Sequence, residues 1–181
     1  MGIIKLIKTW LKHVWLDTSD TRNAIPADML ERLARRVKAS EHRHSGEIRI
    51  CVEASLPVSY LWRLGQQTPM STVIRQRAVT MFGKLRVWDT EQNNGVLIYL
   101  LLAEHAIEIV ADRGLSRHVS TAQWQAMVAR MSAAFREGRY EDGLTQALEE
   151  TSAVLMAHFE TTSGGSPDGN PNDLPDAPVL Q

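Results

Sequence analysis

The run Asn93-Asn94-Gly95-Val96-Leu97-Ile98-Tyr99-Leu100-Leu101-Leu102 decides the fold. Asn-Gly is turn chemistry, because both residues tolerate positive φ. Residues 96–102 then read VLIYLLL, a strand without the alternation that marks one wet face, as expected when helices cover both sides of a sheet. A second apolar run, AIEIVA at 106–111, ends at Asp112-Arg113-Gly114. Only Ala103, Glu104 and His105 lie between, so the two runs predict a tight antiparallel hairpin. With Ala103-Glu104 as a two-residue loop, Leu102 faces His105, Gly95 faces Asp112 and Asn94 faces Arg113. Facing residues lie about 5 Å apart, so this register places polar groups side by side at the open end of the hairpin.

Upstream, residues 47–53 alternate, with Ile48, Ile50 and Val52 on one face and Arg49 and Cys51 on the other. Residues 57–69 read as a loop carrying Trp62. Ser71 or Thr72 can then cap a helix whose apolar face is Ile74, Ala78, Met81, Phe82 and Leu85. Strand, helix and the 96–102 strand form a right-handed parallel crossover, to which the hairpin adds an antiparallel strand. The expected class is α/β: a three-layer α/β/α sandwich around a small mixed sheet with a βαβ crossover and a β-hairpin. The crossover brings Glu47 to the same end as Asn93, Asn94, Asp112 and Arg113, so the five converge on one rim. Such oxygens suit a hard cation, Ca²⁺ or Mg²⁺, with Arg113 placed to hold an anion. The plainer alternative is a turn beside a surface ion pair.

The remaining helices follow from period and caps. Pro26 opens one whose face is Leu30, Leu33, Ala34 and Val37, ending near His42, with Arg32, Arg35, Arg36 and Lys38 in solvent. His42 and His44 are two apart and make a poor metal pair on a helix. Ser120 and Gln123 form a capping box before the stripe Trp124, Met127, Val128, Met131 and Phe135. After Gly138-Arg139-Tyr140 comes a last helix with Leu144, Leu148, Thr151, Leu155 and Phe159 on one side.

Residues 3–16 place Ile3, Ile4, Ile7, Trp10, Leu11, Val14 and Trp15 at helical spacing, with Lys5, Lys8 and Lys12 opposite. The stretch is too short and too charged to cross a bilayer, and it lacks a signal-peptide cleavage pattern. Lys5, Lys8, Trp10, Lys12 and Trp15 are therefore candidate contacts to an anionic membrane surface, to a membrane-associated protein, or to the chain's own body. Residues 17–23 read as a linker. From 161 onward Gly, Pro, Ser, Asn and Asp dominate, which predicts an unfolded acidic tail. The expected organisation is a helix and linker at 1–23, a domain at 24–160 and a tail at 161–181.

The length of 181 residues suits one domain with appendages, and 44% hydrophobic with 23% charged residues is ordinary for a globular chain. A net charge of -1 lacks the basic surface that nucleic acid requires. The single cysteine, Cys51, cannot form an internal disulfide; it suits a reducing compartment and a packing role. No Ser-His-Asp spacing, phosphate-cradling Gly loop or HExxH stretch is present, which weighs toward a binding module rather than a hydrolase.

Four segments in order carry a family resemblance: SGEIRI at 45–50, NNGVLIYLLL at 93–102, EHAIEIVADRG at 104–114 and AAFREGRYEDGLTQAL at 133–148. Together they resemble the TPM domain, named after a thylakoid lumen protein, a photosystem II repair protein and a levamisole-receptor modulator. The resemblance runs from about residue 30 to 159 and implies an α/β/α sandwich. It also implies a debated activity, since some plant-type members are described as acid phosphatases and some bacterial ones as calcium binders. Asn93, Asn94, Asp112 and Arg113 correspond by motif to the candidate site; Glu47 joins by geometry alone. Many secreted relatives carry Asp-Asn-Gly where this chain has Asn93-Asn94-Gly95, and Asp-Arg where it has Glu104-His105. They also carry a signal peptide and often a membrane helix. The chain therefore resembles a cytoplasmic bacterial branch, peripheral at the inner membrane. The expected function is a non-catalytic binding or accessory module near membrane-associated partners, with a weak divalent-cation site. The alternative is a weak divalent-metal-dependent acid phosphatase.

Overall fold

β2, Val96–Leu101, is the centre of the molecule, and all its side chains are buried. The computed structural model describes residues 3–65, 68–160 and 174–181, with residues 3–8, 18 and 65 described by backbone alone. In chain order the elements are α1 Ile3–Trp15, α2 Thr18–Ala24, α3 Ala27–Glu41, β1 Ile48–Glu53, α4 Val58–Gly65, α5 Met70–Lys84, β2, β3 Ala106–Ala111, α6 Arg113–Ser116, α7 Thr121–Arg136, α8 Tyr140–Phe159 and β4 Val179–Leu180. The sheet order is β3-β2-β1-β4, with β1 parallel to β2 and β3 antiparallel to β2. On one face Ile50, Ile98 and Ile109 pack under α3, α7 and α8, through Leu33, Met131, Phe135 and Leu148. On the other, Cys51, Leu97, Tyr99 and Val110 pack under α4 and α5, through Leu61, Ile74 and Met81. The uninterrupted apolar run of β2 thus serves two cores, and each fully buried aliphatic side chain in it contributes about 1.5–3 kcal/mol. This is the expected α/β/α sandwich.

The hairpin keeps the predicted register, with Val96 opposite Ala111 and Leu101 opposite Ala106, but not the two-residue loop. Leu102–Glu104 form a 3-10 turn, and His105 takes the left-handed conformation at φ 47. A two-residue hairpin turn wants positive φ at one or both of its central residues, which Ala103 and Glu104 supply poorly; a longer loop needs it once.

Three further expectations are corrected. The supposed linker is helix α2. Asp17 caps it by accepting from Ser19 N–H at 2.7 Å, and Asp20 accepts in return from Asp17 N–H at 2.8 Å. Polarity looked like loop, yet Asp at both positions is capping chemistry. The loop expected at 57–69 contains α4, whose Tyr60, Leu61 and Leu64 repeat at helical spacing and are buried. At α5 the N-cap position is Pro69, not Ser71 or Thr72.

The tail expectation also changes. Residues 161–173 lie outside the described residues, but the last eight return to the body. Leu174 is 6% exposed. Val179 and Leu180 pair parallel with Cys51 and Val52, and Ala54 N–H donates to Gln181 O at 2.9 Å. A few apolar residues among prolines suffice here because β1 offers a ready row of backbone partners.

Candidate functional site

The rim is built from backbone first. Val96 N–H donates to Glu47 O at 2.8 Å, Asp112 N–H to Gly95 O at 2.9 Å, and Gly114 N–H to Asn93 O at 2.9 Å. This packing leaves no room for a Cβ at two positions. At Gly95 it would sit 1.9 Å from Val87 O, and at Gly114 2.4 Å from Asn93 O. The positive φ of the Asn-Gly turn falls on Asn93, at 54°, a residue that accepts it at modest strain.

The side chains then divide. Asn93 Oδ1 accepts from Arg113 Nε at 3.0 Å and from a terminal guanidinium nitrogen at 2.8 Å. Asp112 caps α6 by accepting from Arg113 N–H at 2.7 Å on Oδ1, while its Oδ2 is buried with no hydrogen-bond partner. These three meet at the exposed rim. Asn94 and Glu47 turn inward. Asn94 is 1% exposed and donates through Nδ2 to Ser45 Oγ at 3.3 Å. Ser45 Oγ donates in turn to Gln92 Oε1 at 2.8 Å, so Ser45 and Gln92 join the rim without any signal in the sequence reading. Glu47 is fully buried, and its Oε2 accepts from Leu174 N–H at 3.2 Å, so the C-terminal segment covers it.

Glu41 lies beside Glu47, accepting from Ile48 N–H at 2.9 Å. Burial pushes its carboxyl up to about 8, with the nearby carboxylates of Glu47 and Asp176 adding to the rise. Arg49 donates to Pro175 O over the same segment. Glu47, expected on the rim, thus helps seat the chain's own end.

These donors do not make a cation cage. A Ca²⁺ ion needs six to eight oxygens. Asp112 Oδ2 is unsatisfied, but Asn93 Oδ1 is held by a guanidinium and Glu47 faces inward. Among the described residues no three His, Cys, Asp or Glu side chains assemble a metal-holding group.

His44 and the cysteine resolve as structural. His44 Nδ1 donates to Gly46 O at 3.0 Å, which leaves Nε2 to accept from Ser152 Oγ at 3.2 Å. Burial lowers its imidazolium pKa to about 4, so it stays neutral. Burial pushes the Cys51 thiol up to about 12, which removes thiolate reactivity. A network missed in the sequence lies nearby. Arg77 holds Glu53 through two nitrogens, at 2.9 and 2.6 Å, and Tyr99 donates to Glu53 Oε2 at 2.5 Å. Its signal was a Tyr inside VLIYLLL and an Arg on the apolar face of α5.

The N-terminal helix docks through part of its surface. His13 is 3% exposed; its Nδ1 accepts from Leu56 N–H at 3.0 Å and its Nε2 lies 3.2 Å from Glu104 Oε1. Lys12 also reaches Glu104, at 3.5 Å. Burial acts to raise the Glu104 carboxyl, but the bonds from His13 and Lys12 outweigh it and hold it below the usual range. Trp10 meets Trp62 of α4 edge to face at 5.6 Å. Of the stripe's other described side chains, Leu11, Val14 and Trp15 point out, and with Val58 and Trp62 of α4 all are at least half exposed. The side chains of Lys5 and Lys8 lie outside the described residues. No described helix is long and apolar enough to cross a membrane.

Fold and rim together define a mixed-sheet α/β/α domain with a tightly turned strand end. The model of the TPM domain matches residues 18–154, so the chain belongs to the TPM domain family. The match begins at the first residue of α2 and leaves α1 outside. In fold the chain is similar to the BA42 protein of the psychrophilic bacterium Bizionia argentinensis. The identity is 22% and the TM-score 0.68, over 86% of this chain and 94% of that one. It is also similar to the N-terminal domain of a protein from P. gingivalis, at 17% identity and TM-score 0.55, over 76% and 83%. At these identities the likeness shows the fold alone. No curated protein matches the chain.

Proposed function

We propose that this TPM domain is a non-catalytic binding module that sits on an anionic membrane surface through α1 and α4, on the cytoplasmic face of the inner membrane. One observation carries the reading. With α1 docked on α4 through Trp10 and Trp62, Trp15 stays 81% exposed and Trp62 66%, and Leu11, Val14 and Val58 of the same two helices are each more than half exposed. A helix needed only for packing would bury that stripe. Tryptophans at a lipid interface and lysines facing anionic headgroups give the patch its use. Lys5, Lys8 and Lys12 supply the charge, at about 1 kcal/mol each near such a surface.

Co-sedimentation with phosphatidylserine vesicles tests it. The full chain pellets with them and not with phosphatidylcholine vesicles. Replacing Leu11, Val14 and Trp15 together with Ser abolishes pelleting, and replacing Lys5, Lys8 and Lys12 with Glu weakens it by more than tenfold. Equal pelleting of all three proteins contradicts the reading.

The free Oδ2 of Asp112 supports a lesser property, weak uptake of Ca²⁺ or Mg²⁺ with water completing the shell. Ser45 Oγ bonds an amide on either side, and its described partners include no carboxylate or imidazole to act as a base. Phosphomonoester hydrolysis that disappears in Asp112→Asn would overturn the non-catalytic reading.

A further inference from the structure

β3 is an edge strand, and the parity of its ladder is fixed. Asp112 N–H donates to Gly95 O directly opposite, so Ala106, Glu108 and Val110 also point their backbone groups at β2. The N–H and C=O groups of Ile107, Ile109 and Ala111 therefore point outward. Among the described residues, the partner seen on that side is Arg75, whose guanidinium donates to Ile109 O at 2.5 Å. The edge does not lie flush with the surface. It forms the floor of a cleft of about 850 Å³ between α5 and α7.

The two walls differ in chemistry. The α7 wall presents Trp124, Val128 and Ala129, with Gln125, Ser132 and Arg136 among them, while the α5 wall presents Ser71, Thr72 and Arg75, whose guanidinium also lies 3.3 Å from Glu108 Oε2 of β3. Ile107 and Ile109 belong to the core under α7, whereas Val110 belongs to the core under α5. A strand added to this edge alternates its side chains between the same two walls. Its backbone satisfies the outward groups, one face meets Trp124 and Val128, and the other meets the Arg75 guanidinium. The molecule already accepts such an addition on its opposite edge, where β4 pairs with β1.

We infer that the cleft between α5 and α7 binds an extended peptide by strand addition to β3, selecting small apolar side chains toward Trp124 and Val128 and acidic ones toward Arg75. This inference names a ligand for the binding-module reading and rests on it, but it uses a different surface from α1 and α4. Arg75 is the built-in occupant of the edge: it leaves Ile109 O to the peptide's N–H and exchanges its partner Glu108 for the peptide's carboxylate.

The test is an amide-resolved titration of the full chain with the capped peptide Val-Glu-Val-Glu-Val-Glu. Hydrogen exchange slows at Ile107, Ile109 and Ala111 and stays unchanged at Glu108 and Val110, which β2 already holds. N-methylating the peptide at alternate residues weakens binding about tenfold in one phase and little in the other, since only one set of N–H groups faces β3. Arg75→Ala removes the preference for Glu over Lys in the peptide while retaining the alternate protection. Absence of protection, or protection without alternation, overturns the inference. Concentration-dependent dimerisation of the free chain with the same alternate pattern also overturns it, in favour of a second copy. Loss of vesicle binding in the Leu11, Val14 and Trp15 variant leaves the peptide result unchanged, so the two proposals fail separately.

Discussion

The two edges of the sheet have been finished in opposite ways. At β1 the chain's own last residues add a strand, bury Leu174 and cover two acids. At β3, among the described residues, Arg75 touches the Ile109 carbonyl and the Glu108 carboxylate between the two flanking helices. Bare edges invite unwanted pairing, and proteins cover or charge them for that reason. The difference teaches where stability and where binding reside. The β1 edge is committed to the fold, and the β3 edge is held available by a group that moves at small cost.

Deleting residues 174–181 breaks the comparison at its stable side and has the largest expected effect. It strips Leu174 from the core, reopens β1 and uncovers Glu47, and urea denaturation should report a loss of about 3 kcal/mol. A loss below about 0.5 kcal/mol would mean the segment contributes nothing to the folded state.

The same edge sets the pH dependence. Glu41, raised to about 8, holds a proton in the folded state that the unfolded chain has released above its ordinary value of 4.5. Stability from this group is therefore greatest at low pH and falls as pH rises toward 8, by at most about 1.4 kcal/mol per pH unit. His44, lowered to about 4 from 6.5, works the other way: unfolding takes up a proton below 6.5, so its contribution is lost as pH falls through that window. The two slopes oppose each other between 4.5 and 6.5, and Glu41 alone acts above. In Glu41→Gln, denaturation midpoints should rise from pH 4.5 to 6.5 and then level. An unchanged downward slope above pH 6.5 would locate the titration elsewhere.

Arg75→Ala sharpens the comparison on the other side, with the smallest effect. The arginine is 44% exposed, and its contact with Glu108 is a surface pair, so stability should change by less than about 0.5 kcal/mol. A larger loss would make Arg75 a structural closure like β4.

How much of this could be read from sequence follows the same division. VLIYLLL and AIEIVA fixed hairpin and register because an apolar period has one buried solution. The rim's backbone convergence followed from that register, with Asn93, Asp112 and Arg113 together. The direction of Glu47 did not, because it depends on residues 174–181, whose composition reads as unstructured. α2 and α4 were missed where short caps and one turn of period were outweighed by polar or proline-rich surroundings. The cleft was invisible, since an edge strand and a central strand can carry similar apolar residues; only the strand order distinguishes them.

Native-state hydrogen exchange of the unliganded full chain tests the contrast most directly. Ala54 N–H, bonded to Gln181 O, should exchange slowly and lose its protection when residues 174–181 are removed. Along β3, Glu108 and Val110 should exchange slowly while Ile107, Ile109 and Ala111 exchange fast. Uniformly slow exchange along β3 would contradict an edge kept open for binding.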